Sequence, residues 1–250
     1  MAMRTANPAL NDKTFTSLAH TATADRAMTI QGTVNKSALL LFLLVVSAGF
    51  VWASFVGRED LSPMMPYVLV GVIGGLIAAL VTVFKKTWSP YTAPLYALLE
   101  GLALGGISLI FEMRFPGIVL QAVALTFGTL FVLLAAYKSG LIKATENFKL
   151  GVVAATGAIA LIYLATFVLG FFNINIPYIH GNGVIGIVFS LVVVVIAALN
   201  LVLDFDFIEK GAEVGAPKYM EWYAAFGLIV TLVWLYLEIL RLLSKIRSRN

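Results

Sequence analysis

Asp204-Phe205-Asp206 stands near the end of a long apolar stretch. Asn200 precedes Asp204 by four residues, so on a helix the two share a face with Ala197 and Val193. A carboxylate at the centre of a membrane-spanning helix costs about 2.5–3.5 kcal/mol, so each one requires a reason. Two reasons fit this cluster. Asp204 and Asp206 either mark the water-facing rim of the membrane beside Glu209 and Lys210, or Asp204 faces the interior of a bundle. In the second case loss of hydration makes Asp204 a proton-sensitive gate or a cation ligand. Asp206 lies about 200° around the same helix, so both side chains cannot line one cavity unless the helix ends there.

Three further carboxylates lie in or beside apolar stretches. Glu100 follows Pro94 by six residues and directly precedes Gly101, where it would line an internal polar pocket or bond a neighbouring helix. Glu112 has Arg114 beside it, the pattern of a surface ion pair. Glu238 lies well inside the last stretch with Arg241 three positions on, a spacing that neutralises it locally. Enzyme chemistry has little to work with. The chain has no cysteine, and His20 and His180 are 160 residues apart, with no metal-ligand spacing. An intramembrane aspartyl protease would need a second aspartate at matched depth on the seventh stretch, and none is there. The expectation is a protein that is not an enzyme and carries no cofactor.

Sixty per cent of the 250 residues are hydrophobic and 12% are charged. A soluble domain of this size needs about twice that charge for its surface. A spanning helix needs about 20 apolar residues, and seven candidates run from 38 to 56, 65 to 84, 94 to 111, 116 to 137, 151 to 172, 183 to 207 and 219 to 243. The linkers, such as Gly57-Arg58-Glu59-Asp60, Lys85-Lys86-Thr87-Trp88-Ser89-Pro90 and Asn173-Ile174-Asn175-Ile176-Pro177, are too short to hold a separate domain. The fold class is therefore an all-α membrane protein, with a polar, disordered cytoplasmic tail over 1–37 and a single seven-helix transmembrane domain over 38–250. An organellar transit peptide is the other reading of the tail.

With seven crossings, the tail and the 2–3, 4–5 and 6–7 loops share one side and carry eleven Lys and Arg residues. The opposite loops carry only Arg58 and Arg114, which places the N-terminus in the cytoplasm. Arg241, Lys245, Arg247 and Arg249 then fall on the far side, against the same rule, so a six-crossing chain with one re-entrant stretch stays open. The net charge of +4 belongs to helix ends facing anionic lipid headgroups, and a nucleic-acid partner is not expected. Gly71 with Gly75 and Gly101 with Gly105 put small residues four apart, the spacing that lets helix backbones pack closely in lipid. Trp52, Tyr67, Trp88, Tyr91, Tyr137, Tyr178 and Trp222 stand at segment ends as interfacial anchors.

These features carry a family resemblance. Seven spans, a sixth ending in Asp204-Phe205-Asp206-Phe207-Ile208-Glu209-Lys210, and a last carrying Leu235-Tyr236-Leu237-Glu238 and closing on Leu240-Arg241-Leu242-Leu243 resemble the Bax inhibitor (transmembrane Bax-inhibitor-motif) family. The opening Arg4-Thr5-Ala6-Asn7-Pro8-Ala9-Leu10 is similar to the tail of a bacterial, YccA-like branch. The resemblance implies a seven-helix bundle with the last helix central, in the bacterial inner membrane. It also implies a calcium leak gated by pH through two aspartates, one on the sixth helix and one on the seventh.

Asp204 matches the first of those aspartates. For the second, the family's spacing from the last-helix arginine leads back from Arg241 to Thr231, whereas the wording Leu-Tyr-Leu-Glu points to Glu238. An antiparallel hairpin turning near Ala216 brings Asp204 within about a turn of Thr231 and leaves Glu238 about 15 Å deeper, which favours Thr231. A lone Asp204 facing a threonine loses the coupling of a paired acid and binds a cation more weakly. Lys85 and Lys86 end the second span on the side of Asp204, where the family also has basic residues, as candidates for a salt-bridge latch. The expected function is a pH-sensitive calcium leak channel or transporter, whose partners are membrane lipids, calcium and protons. The alternative is a non-conducting regulatory protein that binds membrane proteases or stress-response partners through its tail.

Overall fold

The computed structural model describes residues 27–172, 181 and 183–249. The expectations made for residues 1–26, His20, the 173–177 linker, Tyr178 and His180 lie outside the described residues. The chain is all-α, with seven helices long and apolar enough to cross a membrane. They are α1 (Ile30–Phe55), α2 (Met65–Phe84), α3 (Ser89–Arg114), α4 (Ile118–Lys138), α5 (Glu146–Phe171), α6 (Val184–Glu213) and α7 (Met220–Arg247). Among the described residues the one extended pairing outside helices is a bridge between Ala27 and Pro217.

Several helices outrun the apolar stretches that announced them, because hydropathy measures the thickness of hydrocarbon whereas caps decide where a helix stops. Thr29 accepts a hydrogen bond from the Gly32 amide and starts α1 at Ile30, so the last eight residues of the 1–37 segment are helical. Thr145 does the same for Phe148, which moves the start of α5 from 151 to Glu146 and carries Lys149 into its first turn. The third helix begins at Ser89, before Pro94: Pro90 is accommodated in the first turn, and Pro94 is carried inside the helix. The sixth continues past Asp204 and Phe207 to Glu213. There Gly215, with φ of 66°, closes it through Ala216 N–H to Gly211 C=O at 3.0 Å and Gly215 N–H to Ala212 C=O at 3.2 Å. That paired termination needs the left-handed conformation glycine tolerates.

The chain divides into two compact units. Among the described residues, one contains α1, α2, α3 and residues 207–230. Here α3 is the shared element. A Cβ at Gly101 would strike the Leu44 carbonyl of α1, and one at Gly105 would stand 2.5 Å from the Ala48 carbonyl. On the α2 side, a Cβ at Gly71 would stand 2.5 Å from the Ala103 amide nitrogen. The expected glycine pairs are thus points where backbones touch, replacing the hydrophobic drive that lipid does not supply. Opposite its buried Gly71, Gly75, Ala78 and Thr82, α2 exposes Leu69, Ile73, Leu76 and Leu80, a large-outside, small-inside pattern suited to acyl chains.

The same unit ties the chain entering α1 to the turn between α6 and α7. Met28 N–H donates to the Ala216 carbonyl at 2.6 Å, and Glu221, whose side chain is fully buried, accepts from the Thr29 amide and hydroxyl at 2.9 Å each. Lys36 pairs with the same carboxylate, and Lys218 lies 3.4 Å from it. Gly32 permits this approach, because a Cβ there would collide with the Glu221 carboxylate.

The other unit contains α4, α5, residues 184–206 of α6 and residues 231–249 of α7. The most apolar window of α5 is only 11% buried, whereas that of α7 is 56% buried, the largest share of the seven.

Candidate functional site

On α6, Asp204 is 1% exposed, so the reading in which it points into water is excluded. Four residues earlier, on the same face, Asn200 Nδ2 donates to Thr156 Oγ1 of α5 and to the Ile196 carbonyl, both at 2.8 Å. Asp206 turns elsewhere, its Oδ2 standing 2.8 Å from Lys149 Nζ of α5. Because α6 remains helical through this region, the angular separation of about 200° holds. The two aspartates therefore serve different surroundings. Lys149 is 2% exposed and also lies 3.5 Å from Glu146 Oε1.

On α7, Thr231 is buried. Lys245 Nζ donates to Ser190 Oγ at 2.8 Å and to the Gly186 carbonyl at 3.1 Å, which fixes an antiparallel register against α6. Lys245 reaches both Gly186 and Ser190 through a long side chain, so this contact puts Thr231 within about a turn of Asp204 along the helices, with Glu238 about 10 Å from Thr231. Glu238 is 2% exposed and takes part in a closed triangle of hydrogen bonds. Tyr163 of α5 donates its hydroxyl to Glu238 Oε1 at 3.0 Å, while Arg241 Nη1 donates to that oxygen at 2.7 Å and to the Tyr163 hydroxyl at 2.9 Å. Glu238 Oε2 is buried and accepts no hydrogen bond among the described residues.

The remaining candidates belong to the α1–α3 unit. The half-buried Glu100 carboxylate lies against α2, where a Cβ at Gly75 would stand 3.0 Å from Oε2. Lys85 Nζ sits 4.7 Å from the centre of the Trp88 ring, and Lys86 Nζ sits 5.5 Å from that of Tyr223. Burial holds the Tyr223 ring fully inside.

Asp204, Asp206, Thr231 and Glu238 thus share one unit, and Glu100, Lys85 and Lys86 share the other. Sequence reasoning missed Lys149, Tyr163, Lys245 and Glu221 as partners. The signal for Lys149 was local, a threonine cap at 145 that makes 149 helical. Tyr163 and Glu221 meet partners 75 and 192 residues away, and no local pattern announces them. Among the described residues no group of three or more His, Asp and Glu side chains is placed to hold a metal ion.

A family model described as Bax inhibitor 1 like matches residues 7–248 of the chain. No curated protein and no solved structure matches it significantly.

Proposed function

The chain belongs to the Bax inhibitor 1 like family, and from that premise we propose that it is a pH-sensitive leak pathway for calcium. The observation that carries the reading is the burial of Asp204 within a helix long enough to cross the membrane. A carboxylate kept from water, with Asn200 on its own face, changes its charge on protonation and so changes the field along the helices around it. Asp204 is the gate and calcium ligand in this reading. Thr231, Glu238 and Glu100 are pathway groups, Asp206 is held by Lys149, and Lys85 and Lys86 are candidates for a latch. Calcium is cargo here, bound by one charge and neutral oxygens, which suits passage better than retention. The proposed setting is a bacterial inner membrane with the N-terminus cytoplasmic, in the YccA-like branch.

In liposomes carrying the purified protein, Asp204→Asn is expected to abolish the change in calcium flux between mildly acidic and neutral buffer. An unchanged pH profile removes the gate assignment.

One feature favours a second, regulatory reading. The Met28–Ala216 and Thr29–Glu221 bonds hold the chain at residues 28 and 29 against the α6–α7 turn, and a protease or stress-response partner captured by the preceding residues would act on those two helices. Deleting residues 1–26, which spares the bonded segment, is expected to leave flux intact and to abolish capture of such a partner. Loss of flux with capture retained would assign the tail to conduction instead.

A further inference from the structure

Buried polar side chains recur along the α5–α6–α7 group at successive depths. Lys149 meets Asp206, Asn200 meets Thr156, Tyr163 meets Glu238, and Lys245 meets Ser190. From Asp204 to Ser190, α6 rises about 21 Å, some two thirds of the hydrocarbon thickness. Glu238 is the second buried carboxylate on this line, away from the Asp204 end.

The way Arg241 meets Glu238 sets this pair apart from a fixed structural ion pair. A guanidinium that permanently neutralises a buried carboxylate commonly uses its fork, two N–H groups on two oxygens. Here the ion-pair contact runs from the single nitrogen Nη1 to Oε1, the Tyr163 hydroxyl bridges the same two groups, and Oε2 accepts nothing among the described residues. The Arg241 side chain is 40% exposed while that of Glu238 is 2% exposed, so of the two only the cation reaches the protein surface. Lys245, two turns on, donates instead to Ser190 and Gly186.

We propose that the Glu238 carboxylate and the Tyr163 hydroxyl form a second cation-binding step, and that Arg241 is its tethered competitor. A permeant metal cation binds Glu238 only when the guanidinium swings to the exposed side of α7. The Tyr163 hydroxyl, released from the Arg241 donor, then turns a lone pair toward the same ion. This inference rests on the leak reading and adds to it a control point distinct from Asp204.

The absence of native cysteine allows a direct test, in which Arg241→Cys is reconstituted in liposomes and its calcium flux is compared with that of the unaltered protein. The expected result is a flux about tenfold higher, the gain when a site blocked nine tenths of the time is freed. An ammonium-bearing methanethiosulfonate should return it close to the starting level, and an uncharged methanethiosulfonate should not. Equal flux before and after replacement, or equal effects of both reagents at matched labelling by intact mass, overturns the competitor. Should Arg241→Cys fail to fold, the double variant Glu238→Gln with Arg241→Gln decides, since it buries amides and no lone charge. That variant should conduct less than the unaltered protein, and equal conduction overturns the site. Flux that responds to Asp204→Asn but to neither Glu238 nor Arg241 changes sinks this inference and spares the leak reading. Absence of flux from the unaltered protein and from every variant sinks both, whereas flux from Arg241→Cys alone upholds the competitor.

Discussion

Glu221→Ala is expected to cost about 3 kcal/mol, because removing one partner of a buried ion pair leaves the other's charge and donors uncompensated. For a chain of this size that corresponds to a thermal midpoint roughly 6–12 °C lower. The cost is concentrated because one carboxylate serves four donors: the Thr29 amide, the Thr29 hydroxyl, Lys36 and Lys218. Of the two ammonium groups, Lys218 is 54% exposed and regains water easily, whereas Lys36 is 19% exposed and does not. Glu221→Gln keeps an acceptor for Thr29 but gives up the charge opposite Lys36, so its shift should be about half as large. Intrinsic fluorescence of the four tryptophans, one of them the adjacent Trp222, reports the transition in detergent. Equal midpoints for all three proteins would show that the clamp between the α1 entry and the α6–α7 turn contributes nothing to stability.

What could be foreseen in this chain followed the range over which each interaction acts. The Glu238–Arg241 pair was legible because its members are three residues apart on one helix face. The divergence of Asp204 and Asp206 was legible for the same reason, since two positions on any helix lie about 200° apart. Glycines 71, 101 and 105 were legible as close approaches because lipid gives helices little other reason to place small residues at that spacing. Helix ends were read less well. The apolar run stops at Phe207, but Ile208 to Glu213 remain helical until Gly215 terminates the helix.

Partners distant in sequence were not legible at all. Nothing near Asp206 says that it will meet Lys149, 57 positions earlier, and a lysine followed by apolar residues reads equally well as a loop charge. Counting Lys149 among the loop charges was therefore a misreading of the start of α5. The depths of Thr231 and Glu238 relative to Asp204 depend on a helix register, and the contact that bears on it, Lys245 on Ser190, is one that the basic end of α7 does not advertise.

Lys149→Ala is expected to damage the unit that holds α4 and α5 by breaking a buried ion pair. The ammonium is 2% exposed, and its removal strips a charge partner standing 2.8 Å from Asp206 Oδ2. Glu146, 52% exposed, turns to water at little cost, but the Asp206 side chain is only 13% exposed and remains partly desolvated. The destabilisation should be about 3 kcal/mol, at the low end for a buried pair because Asp206 keeps some contact with solvent. Replacing both partners, with Lys149→Met and Asp206→Leu, removes the uncompensated charge and should recover most of that loss, since well-packed apolar side chains commonly match a buried ion pair. A fully hydrated pair would behave differently, costing about 1 kcal/mol or less on truncation and gaining nothing from the double replacement. Thermal midpoints of the single and double variants separate the two cases. A double variant no more stable than Lys149→Ala would place the charge of Asp206 in water and detach its ion pair from the packing of α5 on α6.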